Sequence, residues 1–135
     1  MTRAPARDAA RAAGTLSSMA MPITIVSAPI HLDELGRLAR EQFGDFVKAV
    51  VDLRQGLMAI GGELHADEEA LLLQQGARQA DLWGINLYPE RSAGELIEYD
   101  SMINIRPSQG NRSRGVDDPT VRQQIQALVA RLVSS

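Results

Sequence analysis

The spacing of apolar residues changes several times along this chain, and this change limits the fold more than any other feature. Strands place successive side chains on opposite faces, whereas helices repeat about every 3.6 residues. Strand-like runs cover residues 23–26, 46–53, 57–60, 82–88 and 95–105, and helical spacing begins at Leu32, Asp67 and Asp118. The predicted order is therefore β-α-β-β-α-β-β-α, in a single α+β domain with a mostly antiparallel sheet and helices packed on one face.

Residues 95–105 carry a clear strand signal, because their apolar and polar side chains alternate. The apolar side holds Ile97, Tyr99, Ile103 and Ile105. The polar side chains of this segment, together with those of strand 82–88, predict one polar face of the sheet. Its members are Asn86, Tyr88, Glu98, Asp100, Asn104 and Arg106. On a sheet covered on one side only, this face meets solvent, a ligand or a second subunit.

The C-terminal helix has the clearest local signal in the sequence. Asp118 is a good N-cap residue, and Pro119 suits the first helical position because its fixed φ matches the helix. An apolar stripe follows at helical spacing, formed by Val121, Ile125, Leu128, Val129 and Leu132. We therefore expect this helix to pack on the sheet.

Composition excludes several classes of protein. The chain has 44% hydrophobic and 23% charged residues, which is typical of a globular domain, and it has no apolar run long enough to cross a membrane. The absence of cysteine excludes disulfides, thiolate zinc sites, iron–sulfur clusters and cysteine nucleophiles. A net charge of −3 and 4% aromatic residues argue against strong bulk binding of nucleic acid. We expect a cytoplasmic protein.

The N-terminal segment differs from the rest of the chain. Residues 1–20 include seven alanines and three arginines but almost no large apolar side chains, so we expect a disordered extension before a domain at 21–135. A transit peptide is the alternative interpretation. Met19 and Met21 lie directly before the first predicted strand, so the start at Met1, Met19 or Met21 stays open.

An arginine-rich loop at residues 106–115 is the first candidate site. Its polar side chains are Arg106, Ser108, Gln109, Asn111, Arg112, Ser113 and Arg114, with no acidic residue among them. Guanidinium groups bind phosphates and carboxylates through paired hydrogen bonds, which predicts an anion site. The alternative is that the arginines brace the loop against backbone carbonyls and the following acids.

A second candidate site precedes the second helix. Glu63, His65 and Asp67 alternate, so in an extended segment they point the same way, as an acid/base group or metal ligands require. The structural alternative is that His65 or Asp67 caps the helix while the neighbouring acids complement its dipole. We assign no metal to these residues.

Three segments together resemble a known family. They read GGELHAD at 61–67, DLWGINLYP at 81–89 and DSMINIRPSQGNRSRGV at 100–116. The sequence resembles a small family of bacterial and archaeal proteins catalogued only as a domain of unknown function, over residues 23–133. The resemblance supplies no activity, cofactor or catalytic residue, and it favours a start near Met21.

Three functions remain open at this point. The first is a module that binds a phosphate- or carboxylate-bearing small molecule, or RNA, through the arginine-rich loop. The second is a homodimeric interaction protein without catalysis. The third is a phosphate-handling hydrolase that uses His65 with Glu63 or Asp67, and it requires the two candidate sites to meet in space. No cofactor is identified.

Overall fold

A five-stranded antiparallel sheet forms the centre of this protein in a computed structural model that describes residues 22–135. The predicted disordered extension at 1–20 lies outside the described residues. The strands are β1 (Thr24–Val26), β2 (Ile30–His31), β3 (Val47–Asp52), β4 (Leu57–Ile60), β5 (Leu82–Leu87), β6 (Ile97–Glu98) and β7 (Val133–Ser134). The helices are α1 (Leu32–Glu41), α2 (His65–Gln74) and α3 (Pro119–Leu132).

The sheet has the strand order β1-β4-β3-β5-β6, and every neighbouring pair in it is antiparallel. This confirms the predicted α+β class and the main order of elements. The structure adds a short parallel pair between β2 and β7, which the sequence did not predict. That pair joins the start of α1 to the end of α3.

The helices pack on both faces of the sheet, so the prediction of helices on one face is wrong. α1 and α3 cover one face, where Leu35 and Ile125 pack with strand residues such as Val51. α2 covers part of the other face, where Leu72 packs with Val50. β3 is largely buried on both faces, as expected for a strand between two layers, although Lys48 and Asp52 lie on the face that α2 partly covers. No helix within residues 22–135 is long and apolar enough to cross a membrane.

Helix ends follow the expected local chemistry. The Asp118 carboxylate accepts a hydrogen bond of 2.8 Å from the backbone N–H of Thr120, and Pro119 occupies the first helical position, which confirms the predicted start of α3. His31 caps α1 through its ring nitrogen, which accepts from the N–H of Asp33. Leu64 is the N-cap residue of α2 and makes no side-chain cap, so neither His65 nor Asp67 has the predicted capping role.

The predicted strand at 95–105 is wrong beyond residue 98. The chain leaves the sheet after β6 and forms a 3-10 turn at Met102–Asn104. The Asn104 side chain then makes the hydrogen bonds that a neighbouring strand would make. Its amide accepts from the N–H of Gly84 and donates to the carbonyl of Gly84. An asparagine amide carries the same donor and acceptor as a peptide group, so it completes the edge of β5.

Candidate functional site

A polar cavity of about 490 Å³ lies on the face of the sheet that α2 only partly covers. It is bounded by the start of α2, by β3, β5 and β6, and by the segment that follows β6. Its polar lining residues are Lys48, His65, Asn86, Tyr88, Glu98, Asp100, Ser101 and Arg114. The three segments noted in the sequence, 61–67, 81–89 and 100–116, all contribute to this lining.

Three of these residues form a row across adjacent strands. Lys48 of β3 lies opposite Asn86 of β5, and Asn86 lies opposite Glu98 of β6. Directly opposite residues project from the same face of a sheet. The cavity wall therefore presents an ammonium group, an amide and a carboxylate in that order.

The Glu98 carboxylate is held in place by two donors. Its Oε1 accepts a hydrogen bond of 2.8 Å from Asn86 Nδ2 and one of 3.1 Å from the Tyr88 hydroxyl. Within residues 22–135, Oε2 of Glu98 has no hydrogen-bond partner, and the buried Oδ1 of Asn86 has none either. The row therefore retains acceptor capacity that the described part of the protein does not use.

His65 contributes a buried imidazole to the cavity. Its Nε2 lies 2.8 Å from the carbonyl oxygen of Ile85, and a carbonyl only accepts, so Nε2 carries the proton. Burial lowers the pKa of His65 below its ordinary value, against the hydrogen bond that the ring donates to the Ile85 carbonyl, and nearby Lys48 lowers it further. The neutral form of the ring, with Nδ1 as its unprotonated nitrogen, is therefore favoured.

Aromatic rings line up beside the charged row. The ring centroids of Phe43 and Phe46 lie 4.8 Å apart in a stacked pair, and Phe46 lies 5.4 Å from Tyr88. Lys48 lies over the Phe43 ring at 5.2 Å, and Arg91 lies over the Tyr88 ring at 3.7 Å. Because cations are attracted to ring faces, this group of rings helps to position both side chains.

The mouth of the cavity combines an ion pair with apolar side chains. Arg114 Nε donates to Asp100 Oδ1 over 2.6 Å, so these two charges largely offset each other. Leu64 and Met102 lie on the lining and are 55% and 64% exposed. Large apolar side chains that stay this exposed beside a cavity are available to contact a bound molecule.

The arginine-rich loop does not gather its three guanidinium groups at one point. Arg106 turns inward, where it donates to the carbonyls of Gln79 and Leu82 and stacks at 4.3 Å over the Trp83 ring. Arg114 lies at the cavity instead. Arg112 is exposed and makes no side-chain hydrogen bond or ion pair within the described part of the chain.

The remaining polar side chains of the loop mostly stabilise the loop itself. Asn111 is buried, and its Nδ2 donates to the carbonyls of Asn104 and Gly115, each over 2.8 Å. Gln109 donates to the carbonyl of Ala80, while Ser113 donates to Asp117 Oδ1. Ser108 is exposed. Of the three arginines, Arg106 therefore has the bracing role of the alternative interpretation, and the neighbouring polar side chains also stabilise the loop.

The second candidate site is divided in the structure. His65 lines the cavity, whereas Glu63 and Asp67 are exposed and do not line it. Across residues 22–135, no group of three histidine, aspartate or glutamate side chains is placed to hold a metal ion. The two sequence-predicted sites do meet at one cavity, but through His65 and Arg114 rather than through His65 and Arg112.

Sequence reasoning missed Lys48, Phe46 and Ser101 as lining residues. Lys48 had a signal that could have been used, because it is the only lysine in the chain and interrupts an apolar strand run. Four members of the predicted polar sheet face, Asn86, Tyr88, Glu98 and Asp100, do line the cavity. The other two members, Asn104 and Arg106, are buried beside β5 instead.

A second cavity of about 530 Å³ lies against α3 and is lined mainly by apolar side chains such as Leu96, Ile97 and Val129. It is slightly larger, but it brings together few polar groups that could orient a ligand. Specific small-molecule sites need convergent polar groups as well as volume. The polar cavity is therefore the better candidate.

Comparison with known proteins gives a family but no activity. No curated protein matches the chain, and no solved structure matches it. The family described as "Protein of unknown function (DUF5674)" matches residues 24–132, close to the range expected from the resemblance. The chain belongs to this family of proteins of unknown function.

Proposed function

We propose that this protein binds a small molecule bearing a carboxylate or phosphate in the polar cavity, with Lys48 as the main contact to the anion. The observation that carries this proposal is the position of Lys48 on the cavity wall without a carboxylate within 4.0 Å among the described residues. Most partly buried cations have a counter-ion, and a bound anion would supply one.

Arg114 supports the same proposal from the other side of the cavity. Its Nε is bound to Asp100, and its Nη1 contacts the sulfur of Met102 at 3.5 Å. Its Nη2 makes no hydrogen bond within the described residues and is a further donor for an anion. The sequence predicted an anion site in the arginine-rich loop, and we instead assign the anion site to the cavity.

Calorimetric titration with inorganic phosphate, acetate, a nucleoside monophosphate and a short RNA tests the proposal. We expect at least one of the small anions to bind, and Lys48→Met to weaken its binding by about tenfold, because a charge-assisted hydrogen bond contributes about 1.5–3 kcal/mol. The matched control is Arg112→Met, which removes the same charge from the exposed loop and should leave the affinity unchanged.

The opposite pattern of affinities in the two variants would indicate that the anion binds the arginine-rich loop. Weaker binding in Arg112→Met with full binding in Lys48→Met would overturn the cavity proposal, and so would the failure of every probe to bind at millimolar concentration. Binding of the RNA alone would favour the nucleic-acid alternative.

A hydrolase is the second candidate, favoured by the neutral His65 in the same cavity. With its Nε2–H directed to Ile85, the imidazole has an unprotonated Nδ1, which is the form that a general base needs. Hydrolysis of p-nitrophenyl phosphate and p-nitrophenyl acetate tests it. We expect His65→Gln, which retains a donor for the Ile85 carbonyl, to lower any such activity about 100-fold or more.

The homodimeric interaction protein stays an untested prediction. Light scattering after size-exclusion chromatography separates a monomer from a dimer. A dimer that forms only with wild-type Arg112 would favour that reading, since this arginine is the exposed cation of the loop.

A further inference from the structure

The cavity wall presents charges of opposite sign that do not contact each other. Lys48 and Glu98 lie two strands apart on one face, with Asn86 between them. Neighbouring strands are about 4.8 Å apart, so the two Cα atoms are separated by about 10 Å. No ion pair joins Lys48 or Glu98 to any described residue within 4.0 Å.

Ion pairing accounts for the other charges at this site. Arg114 is bound to Asp100, so neither needs a ligand for compensation. Burial lowers the pKa of His65 and so favours its neutral form. The charges that a ligand can neutralise are therefore one cation, on β3, and one carboxylate, on β6.

The Glu98 carboxylate has one oxygen that no described residue bonds. Asn86 and Tyr88 both donate to its Oε1, which fixes the carboxylate plane and leaves Oε2 available. Arg91 already lies over the Tyr88 ring and Phe43 stacks on Phe46, so Glu98 is the group at this end of the row that can receive a ligand cation. An ammonium group there would donate to Oε2.

We propose that the ligand is an amino acid with an apolar side chain, bound with its carboxylate at Lys48 and its ammonium group at Glu98. Both side chains belong to the wall of one cavity, so a ligand that carries its two charges a few atoms apart can reach both of them. This inference rests on the proposed function and names its ligand class.

The rim of the cavity explains the apolar side chain. Leu64 and Met102 are largely exposed on the lining, and Ile103 lies next to them. A ligand side chain that covers these residues removes apolar surface from water, which contributes about 25 cal/mol per Å². The cavity volume of about 490 Å³ is in the range of small-molecule sites.

Three probes of matched shape separate the two charges. L-leucine carries both, 4-methylpentanoate lacks the ammonium group, and 3-methylbutan-1-amine lacks the carboxylate. In calorimetric titrations we expect leucine to bind about tenfold more tightly than either analogue, because only leucine bonds at both ends of the row.

Variants assign each charge to its partner. Glu98→Gln retains an acceptor for Asn86 and Tyr88, so we expect it to fold and to bind leucine no more tightly than it binds 4-methylpentanoate. Glu63→Gln is the matched control, since Glu63 is exposed and does not line the cavity. Thermal unfolding of each variant checks that the fold is retained.

Two distinct results would overturn this inference. Equal affinity for leucine and 4-methylpentanoate, or unchanged leucine binding in Glu98→Gln, would show that Glu98 does not bind the ammonium group. The proposed anion binding at Lys48 would not be affected by either result. If 4-methylpentanoate and phosphate bind wild type and Lys48→Met equally well, the proposed function itself fails.

Discussion

The arginine-rich loop and the polar cavity have similar chemistry but opposite hydrogen-bond states. In the loop, Asn111 uses both of its amide groups, because Nδ2 donates to backbone carbonyls and Oδ1 accepts from the N–H of Asp117. In the cavity, Asn86 Oδ1 is buried without a partner among the described residues, as is Oε1 of the nearby Glu68. The polar residues of the arginine-rich loop therefore mainly stabilise that loop. In the polar cavity, the acceptors without partners indicate the candidate site.

The pKa of an acid beside the loop and the pKa of an acid beside the cavity are shifted in opposite directions. Hydrogen bonds from Ser113 and from the N–H of Arg112 lower the pKa of Asp117 and favour its charged form. Burial raises the pKa of Glu68 to about 9 and lowers the pKa of His65, so both favour their neutral forms. Hydrogen bonding therefore favours the charge of Asp117, whereas burial disfavours the charged forms of Glu68 and His65 and also that of Arg106 in the loop.

The largest expected difference follows from the same substitution in each region. Asn111→Ala leaves several buried backbone groups without partners, and we expect it to lower the free energy of unfolding by about 3 kcal/mol. Asn86→Ala removes one good hydrogen bond beside a cavity that water can enter, so we expect about 1 kcal/mol. Urea unfolding of both variants measures the difference, and equal losses would contradict the comparison.

The next largest loss of stability is expected from a substitution at Gly84, between the loop and the cavity. A Cβ on Gly84 would lie 2.6 Å from both Cβ and Oγ of Ser101, whereas a Cβ on Gly94 would meet no atom within 4 Å. We expect Gly84→Ala to cost about 2 kcal/mol, since overpacking displaces a buried side chain, and Gly94→Ala to be nearly neutral. Thermal unfolding measures both, and a neutral Gly84→Ala would show that Ser101 is not held against β5.

The third expected effect is a change in the free energy of unfolding with pH. The pKa of Glu68 is raised from 4.5 to about 9, so between these values the folded state binds a proton that the unfolded state releases. This contribution to stability is complete below pH 4.5 and is lost as the pH rises toward 9. Glu68→Gln does not titrate, so its stability relative to wild type should rise by about 1 kcal/mol per pH unit inside the window.

Urea unfolding at several pH values between about 5 and 8.5 tests this slope. Glu63→Gln serves as the control, because that carboxylate is exposed. Parallel pH profiles for wild type and Glu68→Gln would mean that Glu68 ionises normally in the folded protein.

Local signals predicted much of the fold. The start of α3 follows from Asp118 and Pro119, which act on the nearest backbone groups. The turn between the antiparallel strands β3 and β4 contains Gly56, which has a φ of 70° that other residues adopt at a cost. The failed strand at 95–105 shows the limit of such signals, because the alternation continues while the Asn104 side chain replaces the strand backbone.

The candidate site was less predictable because it depends on contacts between distant segments. His65 and Arg114 meet only because β5 and the segment after β6 bring the two regions to one face. Arg106 pointed to an anion site by its residue type, yet its surroundings offer it the carbonyls of Gln79 and Leu82. Residue type alone does not tell whether a guanidinium group is already bound by the protein itself.

The most direct test of the central claim is to follow the backbone amide signals of the protein by NMR during titration with 4-methylpentanoate. The cavity account predicts that the largest shifts cluster at Lys48, His65, Asn86 and Glu98, and that they disappear in Lys48→Met. Shifts centred on Arg112 and Ser113, persisting in Lys48→Met, would contradict it and return the anion site to the loop.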